Sequence, residues 1–207
     1  MTKSGVLLLI SAPSGGGKTT VCTSMLTQNP ALKRVITCTT RSPRPGEVHG
    51  QDYHFLTMTE FERRMTAGEF LEQALVYGNR YGTLRSSVLD VLRSGSDVLL
   101  NIDVQGAASI RKVAAADPEI RSALTTVFLT PRTLVELESR LRGRGSESEE
   151  VVARRLSAAP AEVAEAVYFD YLVVSETREW DLRRVQSIYE AEKARRHRVA
   201  LDGWRVL

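Results

Sequence analysis

The sequence predicts an α/β fold in which a mostly parallel sheet is covered by helices on both faces. Short apolar runs, such as 6–10, 97–102 and 125–129, alternate with segments of helical period, and this alternation is typical of βαβ units. The chain has 207 residues, of which 43% are hydrophobic and 26% are charged, so we expect one domain with its own core. The stretch 35–95 interrupts the alternation and is interpreted as an inserted lobe.

The first strand is predicted at Val6–Ile10, a short apolar run with a β-branched residue at each end. A glycine-rich loop follows over Ser11–Lys18. A helix is predicted at Thr19–Gln28, and it ends at Asn29-Pro30 because proline cannot continue a helix. The inserted stretch has short elements: a strand at Val35–Thr39, a helix at Thr59–Ala67 capped by Thr59, and strands at Phe70–Val76 and Arg80–Thr83.

From about residue 84 the regular alternation resumes. The predicted elements are strands at 97–102, 125–129 and 171–174 and helices at 84–93, 107–116, 133–141, 150–167 and 180–197. We therefore expect a single domain over 1–207, with a core formed by about 1–34, 96–141 and 157–207. The inserted lobe is assigned to about 35–95, and the glycine-broken segment 142–156 is interpreted as a mobile lid.

Composition and charge argue against several classes of function. The formal charge is +3, from 28 basic and 25 acidic residues, a mild excess that suits small phosphorylated molecules. The basic run 193–198 lacks interleaved aromatic residues, so it is interpreted as a solvated helix end, and no nucleic-acid partner is expected. The N-terminal apolar run is too short for a membrane span or a signal peptide, which predicts a cytoplasmic protein without membrane contact. Cys22 and Cys38 have no metal-site or disulfide spacing and are expected to be reduced packing residues.

The strongest local signal is the glycine-rich loop Ala12-Pro-Ser-Gly-Gly-Gly-Lys-Thr19. It matches the P-loop pattern G-x-x-x-x-G-K-[ST], with alanine at the first glycine, between an apolar strand and a helix. Backbone N–H groups of such a loop, together with the positive end of the following helix, bind phosphate oxygens. The predicted fold is therefore of the P-loop NTPase type. The alternative is a glycine-rich turn that only connects two elements.

This loop is expected to hold the phosphates of ATP. The residues assigned to ATP binding are Ala12, Pro13, Ser14, Gly15, Gly16, Gly17, Lys18 and Thr19. Lys18 is expected to bridge the β- and γ-phosphates, and the Thr19 hydroxyl is expected to reach Mg²⁺. The apolar run Val98–Ile102 ends at Asp103, a carboxylate suited to the same metal. The alternative for Asp103 is a plain helix N-cap.

A second anion site is predicted in the inserted lobe. Thr39-Thr-Arg-x-x-Arg44 places Arg41 and Arg44 in a proline-stiffened loop, and two fixed guanidinium groups suit a phosphate monoester. The hydroxyls of Tyr53 and Tyr81 offer two further donors, although either tyrosine alone is also explained as a core or rim aromatic.

The base of a nucleotide acceptor needs a different group. Glu72 lies in an apolar, strand-like segment, where an idle charge is costly, and a carboxylate accepts both N1–H and the 2-amino group of guanine. Thr83 is a candidate donor to guanine O6. A pocket of this kind rejects a wrong base because its polar groups are then left unpaired. The alternative for Glu72 is a solvated surface acid.

Several blocks of the sequence resemble guanylate kinases. They are Ser11–Thr20, Thr39–Gly50 with Asp52-Tyr53, Phe70–Glu72, Gly78–Thr83, Ile102–Ala107 and Leu141–Gly145. The resemblance covers nearly the whole chain in order, and Thr-Thr-Arg-x-x-Arg is specific to this family. It implies transfer of the γ-phosphoryl group of ATP to GMP, with Mg²⁺ and with dGMP as a further acceptor.

The resemblance also assigns site residues. It implies a GMP site lined by Thr37, Arg41, Arg44, Tyr53, Glu72, Tyr81, Thr83 and Asp103. It implies that Lys18, Arg41, Arg140, Arg144 and Arg155 act on the transferring phosphoryl group. Two positions depart from the family pattern in a way that affects expectations: Asn101 replaces a frequent acid, and Ser175 replaces an asparagine that helps to hold adenine. At a third, Thr37 replaces a frequent serine and keeps the hydroxyl.

Two other functions fit parts of the pattern. Guanylate-kinase-like modules of scaffold proteins bind phosphopeptides in the acceptor lobe, but they commonly have a degraded P-loop, whereas Gly17, Lys18 and Thr19 are all present here. A P-loop kinase for another phosphorylated acceptor, such as a ribose phosphate, is argued against by Glu72 and Thr83. No general base is expected, because a GMP phosphate oxygen is already a nucleophile near neutral pH.

Overall fold

The computed structural model describes residues 5–76, 78–143 and 148–199. The strands are β1 Leu7–Ser11, β2 Leu32–Arg34, β3 Cys38–Thr39, β4 His54–Phe55, β5 Phe70–Val76, β6 Asn79–Leu84, β7 Asp97–Asn101, β8 Leu124–Pro131 and β9 Tyr171–Ser175. The helices are α1 Lys18–Gln28, α2 Met58–Thr66, α3 Arg85–Arg93, α4 Val104–Ala116, α5 Pro118–Ala123, α6 Leu134–Arg142, α7 Glu149–Ala164 and α8 Arg178–Lys193. Short 3₁₀ turns follow α7 and α8, at Glu165–Tyr168 and Arg196–Arg198.

A five-stranded sheet with the order β2-β7-β1-β8-β9 forms the centre of the molecule, and every neighbouring pair of its strands is parallel. Leu7 and Leu9 of β1 pack with apolar residues of α3, α4 and α5 on one face. Leu8 and Ile10 pack with α1 and α8 on the other face, because successive side chains of a strand point to opposite sides. The α/β fold with a parallel sheet between helices is confirmed.

A second, four-stranded sheet has the order β4-β3-β6-β5 and lies within the stretch assigned to the inserted lobe. Helix α2 buries Phe61 beneath it, where the ring stacks on Phe70 with the ring centroids 4.3 Å apart. Helix α3 lies in the same stretch of sequence, but it buries Val88 and Leu89 in the core of the large sheet. That the lobe 35–95 moves as a separate unit stays a prediction.

Several element boundaries differ from the prediction. The chain leaves the large sheet after β2 and enters the small sheet at β3, so the single strand predicted at Val35–Thr39 is wrong. Apolar character alone does not reveal which sheet a strand joins. The N-cap of α2 is Thr57, whose hydroxyl accepts from the Glu60 amide at 3.1 Å, and not Thr59. Helix α5 was not predicted; it begins at Pro118, where the missing N–H costs nothing.

The basic run 193–198 is only partly solvated, which corrects the interpretation made from the sequence. Arg198 is 3% exposed, and its guanidinium donates to Glu192 Oε2 at 2.6 Å and to the carbonyls of Ser122 and Ala123. This arginine therefore ties the segment after α8 to the end of α5. In the described part of the chain, no helix has both the length and the apolar character needed to cross a membrane.

Candidate active site

The glycine-rich loop joins β1 to α1 at the carboxyl edge of the large sheet. Gly15 and Gly17 have φ values of 91° and 95°, a region that other residues adopt only with strain. Gly17 is the N-cap of α1 and has no side chain to occupy the first N–H groups of the helix. These amides are therefore available to an anion, and the helix dipole favours negative charge there.

Alanine at the first position of the loop is accommodated by its neighbour. Ala12 is 3% exposed, and a Cβ atom placed on Gly16 would lie 2.9 Å from the Ala12 methyl carbon. Such a contact is too short for two carbon atoms, so the methyl group of Ala12 fits because Gly16 has none. Alanine in place of glycine at residue 12 therefore does not obstruct the space that the loop encloses.

Lys18 lies at the start of α1 among acidic neighbours. Burial lowers the pKa of its ammonium group, and the negative charges of Asp103 and Glu162 oppose that shift. Glu162, on α7, also accepts from the Ser14 amide at 3.0 Å, although the two residues lie 148 positions apart. A side chain of α7 therefore holds the glycine-rich loop at Ser14. Sequence reasoning missed Glu162, since no local motif marks it.

One cavity of about 420 Å³ lies between the two sheets and is called here the inter-sheet cavity. Of the predicted site residues, it brings together Thr19, Thr37, Tyr53, Glu72, Tyr81, Thr83 and Asp103. Residues of both sheets and of α1 thus face one space. Its lining also includes Arg34 and Asn101; Arg34, at the end of the edge strand β2, had not been predicted from the sequence.

Glu72 and Thr83 form a polar pair in the wall of this cavity. They are opposite each other on β5 and β6, and the Thr83 hydroxyl donates to Glu72 Oε1 at 2.6 Å. The preceding residue, Leu71, is 1% exposed and packs in the main core, so strand alternation directs Glu72 to the cavity side. Burial raises the pKa of the Glu72 carboxyl group, with a smaller contribution from the charge of Asp103, while the bonds from Thr83 lower it.

Gly106 brings α4 close to this carboxylate. A Cβ atom on Gly106 would lie 2.1 Å from Ile102 Cγ2 and 3.4 Å from Glu72 Oε2. The glycine is therefore required by packing. Asp103 caps the same helix, because its Oδ1 accepts from the Gly106 amide at 2.8 Å. The N-cap alternative for Asp103 is thus observed, and Asp103 remains exposed at the cavity.

Arg41 lies beside the tyrosine pair. Its guanidinium carbon is 5.6 Å from the centre of the Tyr53 ring, and its Nη2 contacts Glu47 Oε1 at 2.8 Å. The hydrogen bond to Glu47 is the main cause of the raised pKa of Arg41. Tyr53 and Tyr81 meet edge to face, with their centroids 6.1 Å apart.

The two predicted arginines differ in position. Arg41 is half-buried, whereas the side chain of Arg44 is exposed, and the contact of Arg44 to Glu47 is made by its backbone amide at 2.7 Å. Neither arginine is among the residues that line the inter-sheet cavity in the described part of the chain. The structure therefore brings Arg41 to the aromatic rim and does not bring Arg44 to the same space.

A second cavity of about 530 Å³ lies on the other side of the glycine-rich loop and is called the loop-side cavity. It is lined by Gly15, Gly17 and Thr20 of the loop region and by Arg140, Ser175 and Asp181. Arg140 Nη1 donates to Ser175 Oγ at 2.9 Å, and Ser175 Oγ donates to Asp181 Oδ2 at 2.5 Å. The predicted Arg140 therefore lies beside the loop.

The other predicted arginines are less defined. Arg155 is half-buried on α7, one turn and a half into the helix. Arg144 falls in 144–147, outside the described residues, as does part of the predicted lid 142–156.

Cys22 and Cys38 are both buried free thiols, and burial raises their pKa to about 12 and about 11.

The residues present fit a magnesium ion that substrate phosphates help to bind. Among the described residues, no group of three or more His, Cys, Asp or Glu side chains has the geometry of a metal site. The Thr19 hydroxyl and the Asp103 carboxylate face the same cavity, and Asp103 Oδ2 is not used by the bond to Gly106. A small oxygen donor set of this kind is typical of Mg²⁺ bound jointly with substrate phosphates.

Comparison with known proteins agrees with this arrangement. The family model "Guanylate kinase" matches residues 4–192. Guanylate kinases of Paramagnetospirillum magneticum and Escherichia coli K12 are 43% and 42% identical, covering 96% and 94% of this chain and 90% and 91% of their own. The crystal structure of guanylate kinase from Anaplasma phagocytophilum has a TM-score of 0.69 at 31% identity and covers 96% of this chain and 91% of its own.

The match therefore extends over both sheets and over both cavities described above. It includes the glycine-rich loop, the Glu72–Thr83 pair and the segment that carries Ser175. This chain belongs to the guanylate kinase family.

Proposed function

We propose that this chain catalyses transfer of the γ-phosphoryl group of ATP to GMP, giving ADP and GDP. The observation that carries the proposal is the inter-sheet cavity, in which Glu72 and Thr83 face Thr19 and Asp103 across one space. A carboxylate paired with a hydroxyl suits the guanine edge, and the phosphate loop borders the same space. The membership of the chain in the guanylate kinase family supports the same reaction.

The acceptor is assigned to the inter-sheet cavity. Glu72 accepts hydrogen bonds from guanine N1–H and the 2-amino group. These bonds take the place of the bond from the Thr83 hydroxyl, which then turns towards guanine O6. The polar donors near the aromatic rim, Arg41, Tyr53 and Tyr81, are assigned to the GMP phosphate. Thr37 and Asp103 complete the lining, and Arg44 reaches the phosphate only after a movement of its exposed side chain.

The donor is assigned to the glycine-rich loop and the loop-side cavity. The amides at the start of α1 and the ammonium of Lys18 bind the triphosphate. ATP binding is assigned to Ala12, Pro13, Ser14, Gly15, Gly16, Gly17, Lys18 and Thr19, and its nucleoside to the cavity that contains Ser175 and Asp181.

Catalysis is assigned to positioning and charge stabilisation. Lys18, Arg41, Arg140, Arg144 and Arg155 stabilise negative charge on the transferring phosphoryl group, because this reaction asks little else of a protein. Thr19 and Asp103 are the residues that hold Mg²⁺, which neutralises phosphate charge when bound. Closure of the lobe 35–95 and of the lid 142–156 excludes the water that would hydrolyse ATP.

The experiment that tests the proposal is a panel of acceptors supplied with ATP and Mg²⁺. We expect rapid turnover with GMP and slower turnover with dGMP. AMP, UMP and ribose phosphates are expected to react at a small fraction of the GMP rate, because Glu72 and Thr83 are then left unpaired. Equal rates with GMP and AMP would rule out the base-reading pair. Binding of GMP without turnover would indicate a binding module instead.

A further inference from the structure

We propose that Ser175 and Asp181 form a positioning pair that holds Arg140 beside the phosphate loop during phosphoryl transfer. The inference rests on the proposed function, since it gives Ser175 a role in the same reaction. It concerns a contact that no local sequence motif reveals. Ser175 itself lies at the wall of the loop-side cavity and is treated as acting through the arginine.

The pair is buried and fully hydrogen-bonded. Ser175 is 3% exposed and Asp181 is 5% exposed. Asp181 Oδ2 accepts from the Ser175 hydroxyl at 2.5 Å, and Asp181 Oδ1 accepts from the Glu176 amide at 3.0 Å. Both carboxylate oxygens are therefore engaged, and the carboxylate has a fixed orientation.

The direction of these bonds decides what Ser175 offers to a third group. A hydroxyl has one proton and two lone pairs, and the proton of Ser175 is directed to Asp181. Its oxygen is thus left as an acceptor, and the buried carboxylate behind it favours a cationic donor. That donor is Arg140, whose Nη1 lies 2.9 Å from Ser175 Oγ.

Arg140 also lies next to the loop that binds phosphate. A Cβ atom placed on Gly17 would be 3.9 Å from the same Nη1 atom, so the guanidinium group borders the N-terminus of α1. The bond to Ser175 uses one of the five N–H groups of a guanidinium, which leaves the others for phosphate oxygens. An arginine side chain has many rotamers, and an anchor at one nitrogen reduces the entropy lost when the rest of the group meets its ligand.

The resemblance to guanylate kinases led us to expect an asparagine that helps to hold adenine at this position, and the chain has a serine. With its proton committed to Asp181, Ser175 has no donor for a ring nitrogen of adenine. Because the Ser175 hydroxyl donates to Asp181 and accepts from Arg140, the geometry favours an effect of Ser175 on the rate of transfer over an effect on the recognition of the donor base.

The test is a double-mutant cycle with Ser175→Ala and Arg140→Ala, measured by steady-state kinetics with ATP and GMP. We expect Ser175→Ala to lower kcat roughly 10- to 100-fold, as for loss of one charge-assisted contact, while KM for ATP stays close to that of the unmodified chain. In the Arg140→Ala background, the same substitution should have no further effect, because the group it positions is gone. Ser175→Thr keeps the hydroxyl and should restore most of kcat.

Matched controls separate positioning from a loss of folding. Ser187→Ala removes an exposed hydroxyl from α8 that donates only to its own helix, and it should leave kcat unchanged. Asp181→Asn provides a second variant that keeps the shape of the pair but removes the charge behind the hydroxyl, and it should lower kcat without raising KM for ATP. Thermal unfolding of each variant checks that the fold is retained.

Two outcomes overturn the inference. A Ser175→Ala variant with a raised KM for ATP and an unchanged kcat would make Ser175 a contact of the donor nucleoside. Additive losses in the cycle would show that Ser175 and Arg140 act independently. Either result leaves the reaction intact, whereas an unmodified chain that fails to transfer phosphate from ATP to GMP would contradict the proposed function itself.

Discussion

The Thr83 hydroxyl donates to Glu72 Oε1 across 2.6 Å, at a position where β5 and β6 face each other in the small sheet. Thr83 is 1% exposed, so this bond is formed in a largely dry environment. The second carboxylate oxygen of Glu72 lies on the side of Gly106 and the start of α4. The Glu72 carboxylate thus lies between the small sheet and the start of the helix that follows Asp103.

Replacement of Glu72 by glutamine tests whether this pair reads the guanine base. We expect kcat/KM for GMP to fall roughly 10- to 100-fold, since a carboxamide accepts one guanine N–H group and opposes the other with its own NH₂. KM for ATP should not change. Glu62→Gln, at an exposed site on α2, provides the control and should behave like the unmodified chain. Equal losses for ATP and GMP would contradict a base-reading role.

The raised pKa of Glu72 predicts that GMP binding depends on pH. Guanine needs the ionised carboxylate, and burial raises the pKa of this group above 4.5. We therefore expect KM for GMP to increase as the pH falls through the raised pKa, beginning above pH 4.5. Initial rates at limiting GMP between neutral and acidic pH measure this, and the Glu72→Gln variant should lack the dependence.

The same shift makes a prediction for stability in the absence of ligand. Between the unfolded value of 4.5 and the raised folded value, the folded state binds more protons at Glu72 than the unfolded state does. The contribution of Glu72 to the free energy of unfolding therefore decreases as the pH rises through this window. Urea unfolding of the unmodified chain and of Glu72→Gln across this range checks the sign. A larger contribution at higher pH would mean that the carboxyl pKa is lowered.

Lys18 is predicted to be required for turnover and not for folding. Lys18→Ala removes the ammonium group that we assign to the triphosphate, and we expect kcat to fall on the order of 100- to 1000-fold or more. The melting temperature should change little, because burial disfavours the lysine charge. Lys33→Ala, an exposed lysine on β2, is the control. Normal turnover of GMP by Lys18→Ala would refute the phosphate-loop assignment.

Arg41 is predicted to act through its planar guanidinium group. Arg41→Lys keeps a charge but loses the two-nitrogen fork, of which Nη2 is held by Glu47. We expect KM for GMP to rise roughly 10-fold or more, with KM for ATP unchanged. Arg121→Lys at an exposed site on α5 is the matched substitution. If Arg41→Lys bound GMP normally, the GMP phosphate would have to be bound by other side chains than Arg41.

Arg198 is predicted to stabilise the fold. Its removal leaves the Glu192 carboxylate, which is 2% exposed, without its buried partner. We expect Arg198→Ala to lower the free energy of unfolding by about 3–5 kcal/mol, whereas Arg196→Ala at an exposed site should have little effect. Urea unfolding at neutral pH measures both. Similar unfolding curves for the two variants would show that the buried ion pair does not stabilise the segment after α8.

The geometry of the glycine-rich loop followed from the sequence because its parts are contiguous. The loop Ala12–Thr19 contains its own turn glycines, its lysine and the start of its helix, so local spacing predicts local geometry. Asp103 was predicted in the same way, from an apolar strand that ends in an acid. Glu72 and Thr83 were predicted from their residue types and from the family resemblance, and the register of two neighbouring strands then brought them together.

Other features were set only by the packing of distant elements. Apolar character at Val35–Thr39 predicted one strand, but the structure has β2 before this stretch and β3 at its end, and the two strands belong to different sheets. The basic run 193–198 has the composition of a solvated helix end, yet the position of β8 beneath it buries Arg198. A residue pattern does not reveal which partner a side chain will find across the molecule.

The sequence by itself predicted most strands and helices of the large sheet and the course of the glycine-rich loop. These features depend on periodicity and on residues close together in the chain. The sequence also named Glu72 and Thr83 as candidates for reading the base. The tertiary structure decided that Arg140 contacts Ser175, that Glu162 holds the Ser14 amide and that Arg41, and not Arg44, lies at the aromatic rim. The physical reason is that such contacts depend on the angles and distances at which helices and strands pack against one another. These angles and distances are fixed by the packing of the whole core, to which each local segment contributes only a part.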